Sequence, residues 1–284
     1  MRERRASAVA LVLGAACSVQ GGAAIAKSLF PQLGPPGVVF LRLLFGSVAM
    51  WAIARPRLRD RGRRELGLVA ALGVVLASMN LSFYEALARI PLGIAVTVEF
   101  LGPLAVAVLG SRQPLDLVWV ACAGGGIALL SGGDTSTSTL GLVLAAVAGV
   151  FWACYILLGV RVGRVYPGAT GLAPAMALGA LLAAPWGIAS AGRNLLDPRL
   201  LGAGVVVGLL SSALPWSLEL EAMRRLPAHV FSVVLSLEPA VAALAGIVFL
   251  HQHLALRAWV AIGLVVTASA GAARQRKPPV QPDV

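Results

Sequence analysis

The sequence predicts an all-α integral membrane protein of ten transmembrane helices in two inverted five-helix repeats. Three observations predict it: long apolar stretches without charge, basic residues gathered on alternate loops, and a gapless internal repeat. Of 284 residues, 58% are hydrophobic and only 12% charged, with a mean hydropathy of +0.87. A soluble domain cannot hide that much apolar surface, because its exterior needs polar cover. Charge-free stretches run over 6–26, 66–84, 135–160, 165–192 and 200–218. Each is about the length that lets a helix cross roughly 30 Å of hydrocarbon at about 1.5 Å per residue. Helices are expected over barrel strands, since unpaired backbone groups are costly in lipid and the alternating strand pattern is absent.

The predicted spans are 7–29, 37–54, 66–88, 91–111, 115–132, 140–162, 168–190, 199–221, 227–250 and 255–273. The formal charge of +11 suggests nucleic acid at first sight, but the basic residues lie between spans rather than along one face. With the N-terminus inside, 17 Lys/Arg fall on the inner side, among them six in the 55–65 loop, Arg112, Arg161, Arg164, Arg224 and Arg225. Five fall outside: Lys27, Arg89, Arg193, Arg199 and Arg257. The asymmetry predicts both termini in the cytoplasm and makes lipid, not nucleic acid, the partner. The first apolar segment reads as a retained helix rather than a removed signal peptide. Residues 274–284 read as a disordered cytoplasmic tail.

Residues 85–103, EALARIPLGIAVTVEFLGP, align without a gap on 221–239, EAMRRLPAHVFSVVLSLEP. The shared positions include Glu85/Glu221, Arg89/Arg225, Pro91/Pro227 and Pro103/Pro239, so an apolar background does not explain the match. Further on, WVACAGGGIALLSG resembles WVAIGLVVTASAG. Residues 1–132 and 140–273 are therefore read as repeats. Five spans per half is an odd number, so the halves are expected to enter the membrane from opposite sides. Such repeats are a hallmark of secondary transporters, although a duplicated scaffold could be inherited without transport.

An ionisable group deep in a bilayer is costly unless paired or facing water, which makes each one a site candidate. Glu99 lies near the middle of the fourth span and Glu238 near the middle of the ninth, each shortly before a proline that frees carbonyls in the preceding turn. Each glutamate either lines a cavity or pairs with another helix. Gln20 and Lys27 share a face of the first span, where Lys27 either snorkels outward or joins a site. Arg42 lies inside the second span and calls for an anionic partner. Asn80 and Tyr84 are an i, i+4 pair on the third, and Tyr84 is equally an interfacial aromatic. Trp152, Tyr155 and Trp216 are either pocket walls or packing, while Glu219 and Glu221 are expected to be solvated at a cytoplasmic end. The pairs Gly21-Gly22 and Gly204/Gly208 suit close helix contact.

An ammonium and a carboxylate match a site with Glu99 or Glu238 plus Lys27 or Arg42, so a zwitterionic amino acid is the expected small-molecule substrate. A buried carboxylate can also exchange substrate for protons, which makes Glu99 and Glu238 proton-coupling candidates. Moving one charge across 100 mV is worth about 2.3 kcal/mol. The cysteines Cys17, Cys122 and Cys154 fall within spans, and no cofactor or metal set is apparent. No catalytic constellation and no GxxxxGK[ST] loop is present, so neither an enzyme nor an ATP-driven pump is expected. A drug or cationic-dye exporter is the nearer alternative, and Lys27 and Arg42 argue against it. A receptor-like role would show no flux.

The motifs SVQGGAAIAKSLFP (18–31), GVVFLRL (37–43), PLGIAVTVEFLGPLAVAVLGSRQP (91–114), DLVWV (116–120), ALPWSLELEAMRRLP (213–227) and LSLEPAVAALAG (235–246) resemble the EamA-type branch of the drug/metabolite transporter superfamily. Within it they are most similar to the inner-membrane threonine and homoserine exporters, and the resemblance runs through nearly the whole chain. It implies ten helices in two inverted repeats, with a central cavity lined mainly by the first four helices of each. It also implies ATP-independent export of threonine, homoserine or related amino acids across a bacterial inner membrane. Gln20, Lys27, Arg42, Glu99 and Glu238 all lie in matching motifs. The chain departs where the family commonly reads FLGE: here FLHQHL (249–254) puts Gln252 at the acidic position between His251 and His253. Those histidines are solvated loop residues, or else sense pH or bind metal.

Overall fold

The computed structural model describes residues 2–56, 62–109, 113, 115–131 and 138–275. Among them every regular element is helical. The helices are α1 (Arg2–Ser28), α2 (Phe30–Ala54), α3 (Arg63–Leu87), α4 (Leu92–Glu99), α5 (Leu101–Leu109), α6 (Asp116–Ser131) and α7 (Thr139–Gly163). After them come α8 (Leu172–Ala191), α9 (Pro198–Gly208), α10 (Leu214–Arg225), α11 (Ala228–Leu235), α12 (Glu238–Leu250) and α13 (Leu256–Gln275). Nine described segments are long and apolar enough to cross a bilayer, and a tenth, Asp116–Leu130, is apolar but shorter. The chain is therefore a multi-pass membrane protein. Arg112, the loop arginines Arg57, Arg59 and Arg61, and the tail after Gln275 lie outside the described residues.

Prolines decide where the helices bend. Pro91 and Pro227 cap α4 and α11 with nearly the same backbone angles (φ −59° and −58°, ψ 147° and 142°). Each of those helices runs eight residues and breaks before the next proline, Pro103 or Pro239. The second predicted span starts at 37, but α2 begins at Phe30 and carries a kink. Gly34 sits there at φ +67°, a conformation that side-chain-bearing residues rarely adopt. Pro36 lacks an N–H and so leaves the Gln32 carbonyl without its helical donor; Asn194 Nδ2 donates to that oxygen at 2.6 Å. Ser190 Oγ serves the Leu33 carbonyl at 3.1 Å.

The helices pair across the two halves: α2 packs on α8, α3 on α7 and α8, α6 on α13, α1 on α10, and α4 on α12. Small residues set the closest approaches. Gly204 and Gly208 face Leu41, Phe45 and Gly46 of α2, and Gly22 of α1 faces Ser211. Gly102 and Gly149 bring α5 and α7 backbone to backbone, so that a methyl on Gly102 would press on the Gly149 carbonyl.

Neither backbone can yield cheaply, so Gly102→Ala is expected to destabilise by about 1–3 kcal/mol. Gly124 has open space around it, and Gly124→Ala is expected to be neutral or to stabilise by up to about 1 kcal/mol. Thermal unfolding of both variants in detergent checks the contrast. Equal midpoints would contradict the packing assigned to α5 and α7.

Candidate functional site

The breaks between α4 and α5 and between α11 and α12 put backbone ends, and the acids beside them, in the middle of the bundle. Glu99 is the last residue of α4 and Glu238 the first of α12. Both are more than nine-tenths buried, yet both line a cavity of about 230 Å³. The cavity walls come from α1, α2, α3, α4, α7, α8, the 209–219 segment and α12, with no contribution from α5, α6 or α13.

Arg42 is held by what surrounds it. The chain widens here into a π-helical turn, Leu209–Ala213, in which the Leu214 N–H bonds the Leu209 carbonyl five residues back. Pro215 has no N–H to give the next carbonyl, and the return to α spacing skips another, so Leu210 and Ser211 are left short of helical donors. Arg42 Nη2 donates to the Ser211 oxygen at 3.3 Å, and Ser18 Oγ donates to the neighbouring Leu210 oxygen at 2.7 Å. Arg42 Nη1 donates to Tyr84 Oη at 3.1 Å, and the guanidinium carbon stands 5.4 Å from the centre of the Tyr84 ring. Tyr84 is fully buried against Phe30 and Phe83, with ring centroids 5.9 Å away in both cases. It therefore works as a bracket behind Arg42 and not as a cavity wall.

The expected anionic partner of Arg42 is not there. Ion pairs form instead at helix ends, Glu85 with Arg89 and Glu221 with Arg224 and Arg225. Glu99 lies within electrostatic reach of Arg42 and of the like-charged Glu238, but makes no ion pair with Arg42. Gln20 Nε2 donates to Glu238 Oε1 at 3.0 Å, which leaves Gln20 Oε1 buried without a donor. Asn80 Nδ2 donates to its own helix at Leu76 O (2.8 Å), so its Oδ1 is likewise unfilled. A cation without an anion, carboxyls without cations and orphaned acceptors share one cavity. Burial of such groups is costly, and a complementary ligand removes the cost.

Of the sequence candidates, Gln20, Arg42, Asn80, Glu99 and Glu238 meet at the cavity. Lys27 does not: Nζ donates to the carbonyl of Ile90 at 3.0 Å, at the far end of α1. Two residues along, Gln252 Oε1 accepts from Leu92 N at 3.0 Å and satisfies the first N–H of α4. A lysine and a glutamine thus clasp the backbone on both sides of Pro91. Glu221 is paired at an exposed helix end as expected, whereas Glu219 lines the cavity and corrects the expectation that it is solvated. Trp152, Tyr155 and Trp216 are cavity walls. The serines Ser211 and Ser212 and the methionines Met50, Met79 and Met176 were not singled out in sequence, and only Pro215 hinted at the first two. His251 and His253 are exposed, and His251 adopts the left-handed conformation (φ 51°) where the family motif has glycine. Among the described residues no group of three His, Cys, Asp or Glu could hold a metal.

A multi-pass helical protein with a buried, charged, unoccupied-by-protein cavity between its halves is built as a membrane transporter. The chain belongs to the EamA-like transporter family, whose model matches it twice, over residues 6–131 and 139–273. It is 44% identical over 271 residues to the threonine/homoserine exporter RhtA of Escherichia coli (strain K12), covering 93% of this chain and 90% of that protein. The corresponding exporter of Salmonella typhimurium (strain LT2) is 42% identical with the same coverage. A solved crystal structure superimposes with a TM-score of 0.60 at 20% identity, over 94% of this chain and 97% of its own, and shares the fold.

Gln252→Leu strands the Leu92 N–H, which is expected to cost about 1–3 kcal/mol. Gln252→Glu keeps the acceptor beside Lys27 and is expected to retain or raise stability. Denaturation midpoints in detergent check this, and a leucine variant as stable as the parent would remove the clasp.

Proposed function

We propose that the protein exports small polar amino acids of the threonine and homoserine kind across the bacterial cytoplasmic membrane, by alternating access and in exchange for protons. The observation that carries the reading is Arg42, held in place by Tyr84 and the Ser211 carbonyl and left without an acidic partner beside an equally unpaired Glu99. A substrate carboxylate accepts the charged hydrogen bonds that Arg42 has to give, and its ammonium answers Glu99, Glu238 and the free oxygens of Gln20 and Asn80. The cavity falls below the roughly 300–1,000 Å³ of sites for drug-sized ligands. That favours a small zwitterion over a bulky drug. The named activity of the 44% identical exporter supports the same choice.

Alternating access rests on two related halves of opposite orientation. In its favour, exchanging the halves maps the set of packed helix pairs onto itself: α3 with α7 becomes the eighth span with α1, while α2–α8, α4–α12 and α6–α13 map to themselves. The matched breaks at Pro91 and Pro227 and the doubled family match agree with it. Met50, Leu172, Met176 and Glu219 carry the lining toward the ends of α2, α8 and α10 that bear the basic loops. At the opposite end, Leu33, Leu87, Ile90 and Leu92 close the bundle, at most 2% exposed. With the basic loops inside, this is a conformation open to the cytoplasm, poised to load substrate for export.

Three outcomes test the reading in proteoliposomes containing the full chain. Arg42→Gln is expected to lower threonine counterflow at least tenfold, as loss of charged hydrogen bonds worth about 1.5–3 kcal/mol requires. Of Glu99→Gln and Glu238→Gln, at least one is expected to abolish export while leaving membrane insertion intact. Full activity in both would take the carboxylates out of the mechanism. Proton exchange predicts efflux that follows the imposed pH gradient or membrane potential, and indifference to both would reject it.

A further inference from the structure

A small zwitterion leaves part of the cavity unused. Glu219 of α10 lines it, is itself without an ion pair among the described residues, and lies within electrostatic reach of Glu238 and of Tyr155. Glu99 and Glu238 line the same cavity, and among the described residues Arg42 is the one lysine or arginine that does. The spacing along the chain sets Arg42 and Glu219 apart. Arg42 is bonded at the level of Ser211, and Glu219 lies eight residues further on, about 12 Å along a helix. Helical side chains tilt toward the N-terminus, so Glu219 reaches back and shortens the gap to the scale of an ornithine or lysine side chain.

The surroundings of Glu219 point to an ammonium rather than to further packing. Trp216 is one turn before it on the same face, and Trp152 and Tyr155 line the same cavity. Aromatic faces next to a carboxylate suit a cation. Gln20 Oε1 and Asn80 Oδ1 are acceptors more than nine-tenths buried with nothing to accept from, and the unpartnered donors of the lining residues are Arg42 Nε and the Ser211 hydroxyl. With the carboxyls of Glu99, Glu238 and Glu219 counted in, acceptors outnumber those donors.

We propose that Glu219 and Glu238 form a second cation subsite that takes the side-chain ammonium of a diamino acid, making short basic amino acids a further substrate class. The proposal rests on the assignment of Arg42 and Glu99 to the α-carboxylate and α-ammonium. An ornithine-sized molecule then lies along the cavity, with its carboxylate at Arg42 and its terminal amine between Glu238, Glu219 and the indole of Trp216. An uncharged isostere such as norvaline fills the same length but leaves Glu219 unanswered.

The test is competition against threonine counterflow in proteoliposomes holding the full chain, with L-ornithine and L-norvaline as inhibitors. Ornithine is expected to inhibit at a concentration about tenfold below norvaline, the scale of a charged hydrogen bond gained. In Glu219→Gln the ratio is expected to fall to about parity, and in Glu219→Asp to be kept in part. Norvaline equal to or better than ornithine on the parent chain overturns the subsite, as does a preference that survives in Glu219→Gln. Parent vesicles without threonine counterflow would instead sink the amino-acid exporter reading. In that case, or if Glu219→Gln carries no flux, ornithine-induced thermal stabilisation of the purified proteins takes over: larger for the parent supports the subsite, and equal shifts overturn it.

Discussion

A carbonyl that loses its helical donor inside a membrane has no water to turn to, so another part of the protein must supply the bond. Pro215 and the π-helical turn before it leave such carbonyls at Leu210 and Ser211, and Arg42 answers the second across the helix interface. That exchange satisfies the backbone and holds a cation at the centre of the bundle, bracketed from behind by Tyr84. A backbone oxygen and a phenol carry no full negative charge, so the positive charge of Arg42 stays available to something else. The site depends on this incomplete neutralisation. Had an acid paired with Arg42 directly, the cavity would hold a finished salt bridge and have little reason to bind a zwitterion.

The same accounting runs through the rest of the structure. Pro36 orphans the Gln32 carbonyl, and Asn194 from the second half serves it. Pro91 caps α4, and the first N–H of that helix, from Leu92, is accepted by Gln252, also from the second half. At these three places a side chain from the other half supplies the bond that the proline-bearing segment lacks. The repairs link the helix geometry of one half to the position of the other, which is the kind of coupling a rocking motion between halves has to respect. The clasp of Lys27 and Gln252 around Pro91 lies beside the buried Ile90 and Leu92, and the proposed alternating access would have to loosen it to open that end.

The fold was legible because lipid imposes a simple rule on composition: long uncharged runs, basic loops on alternate sides, and prolines where helices break. Glu99, Glu238, Arg42 and Gln20 were legible for the same reason, as charges and amides where hydrocarbon should be. What stayed hidden is what depends on azimuth and on partner helices. Glu219 is six residues from Arg225 and read as an end residue, yet the π-helical turn before Pro215 widens the segment and α10 presents it to the cavity. Tyr84 and Lys27 share motifs with the site residues, but one is a bracket behind Arg42 and the other a clasp at the far end. A motif records that residues matter together, not which surface each one serves.

The most direct measurement is a structure of the protein with threonine bound. The account places the substrate carboxylate within hydrogen-bond distance of the Arg42 guanidinium, its ammonium beside Glu99 and Glu238, and Arg42 still bonded to Tyr84 and the Ser211 carbonyl. Threonine seated elsewhere, or Arg42 turned away to form an ion pair with Glu99 or Glu238 while the ligand is bound, would contradict it.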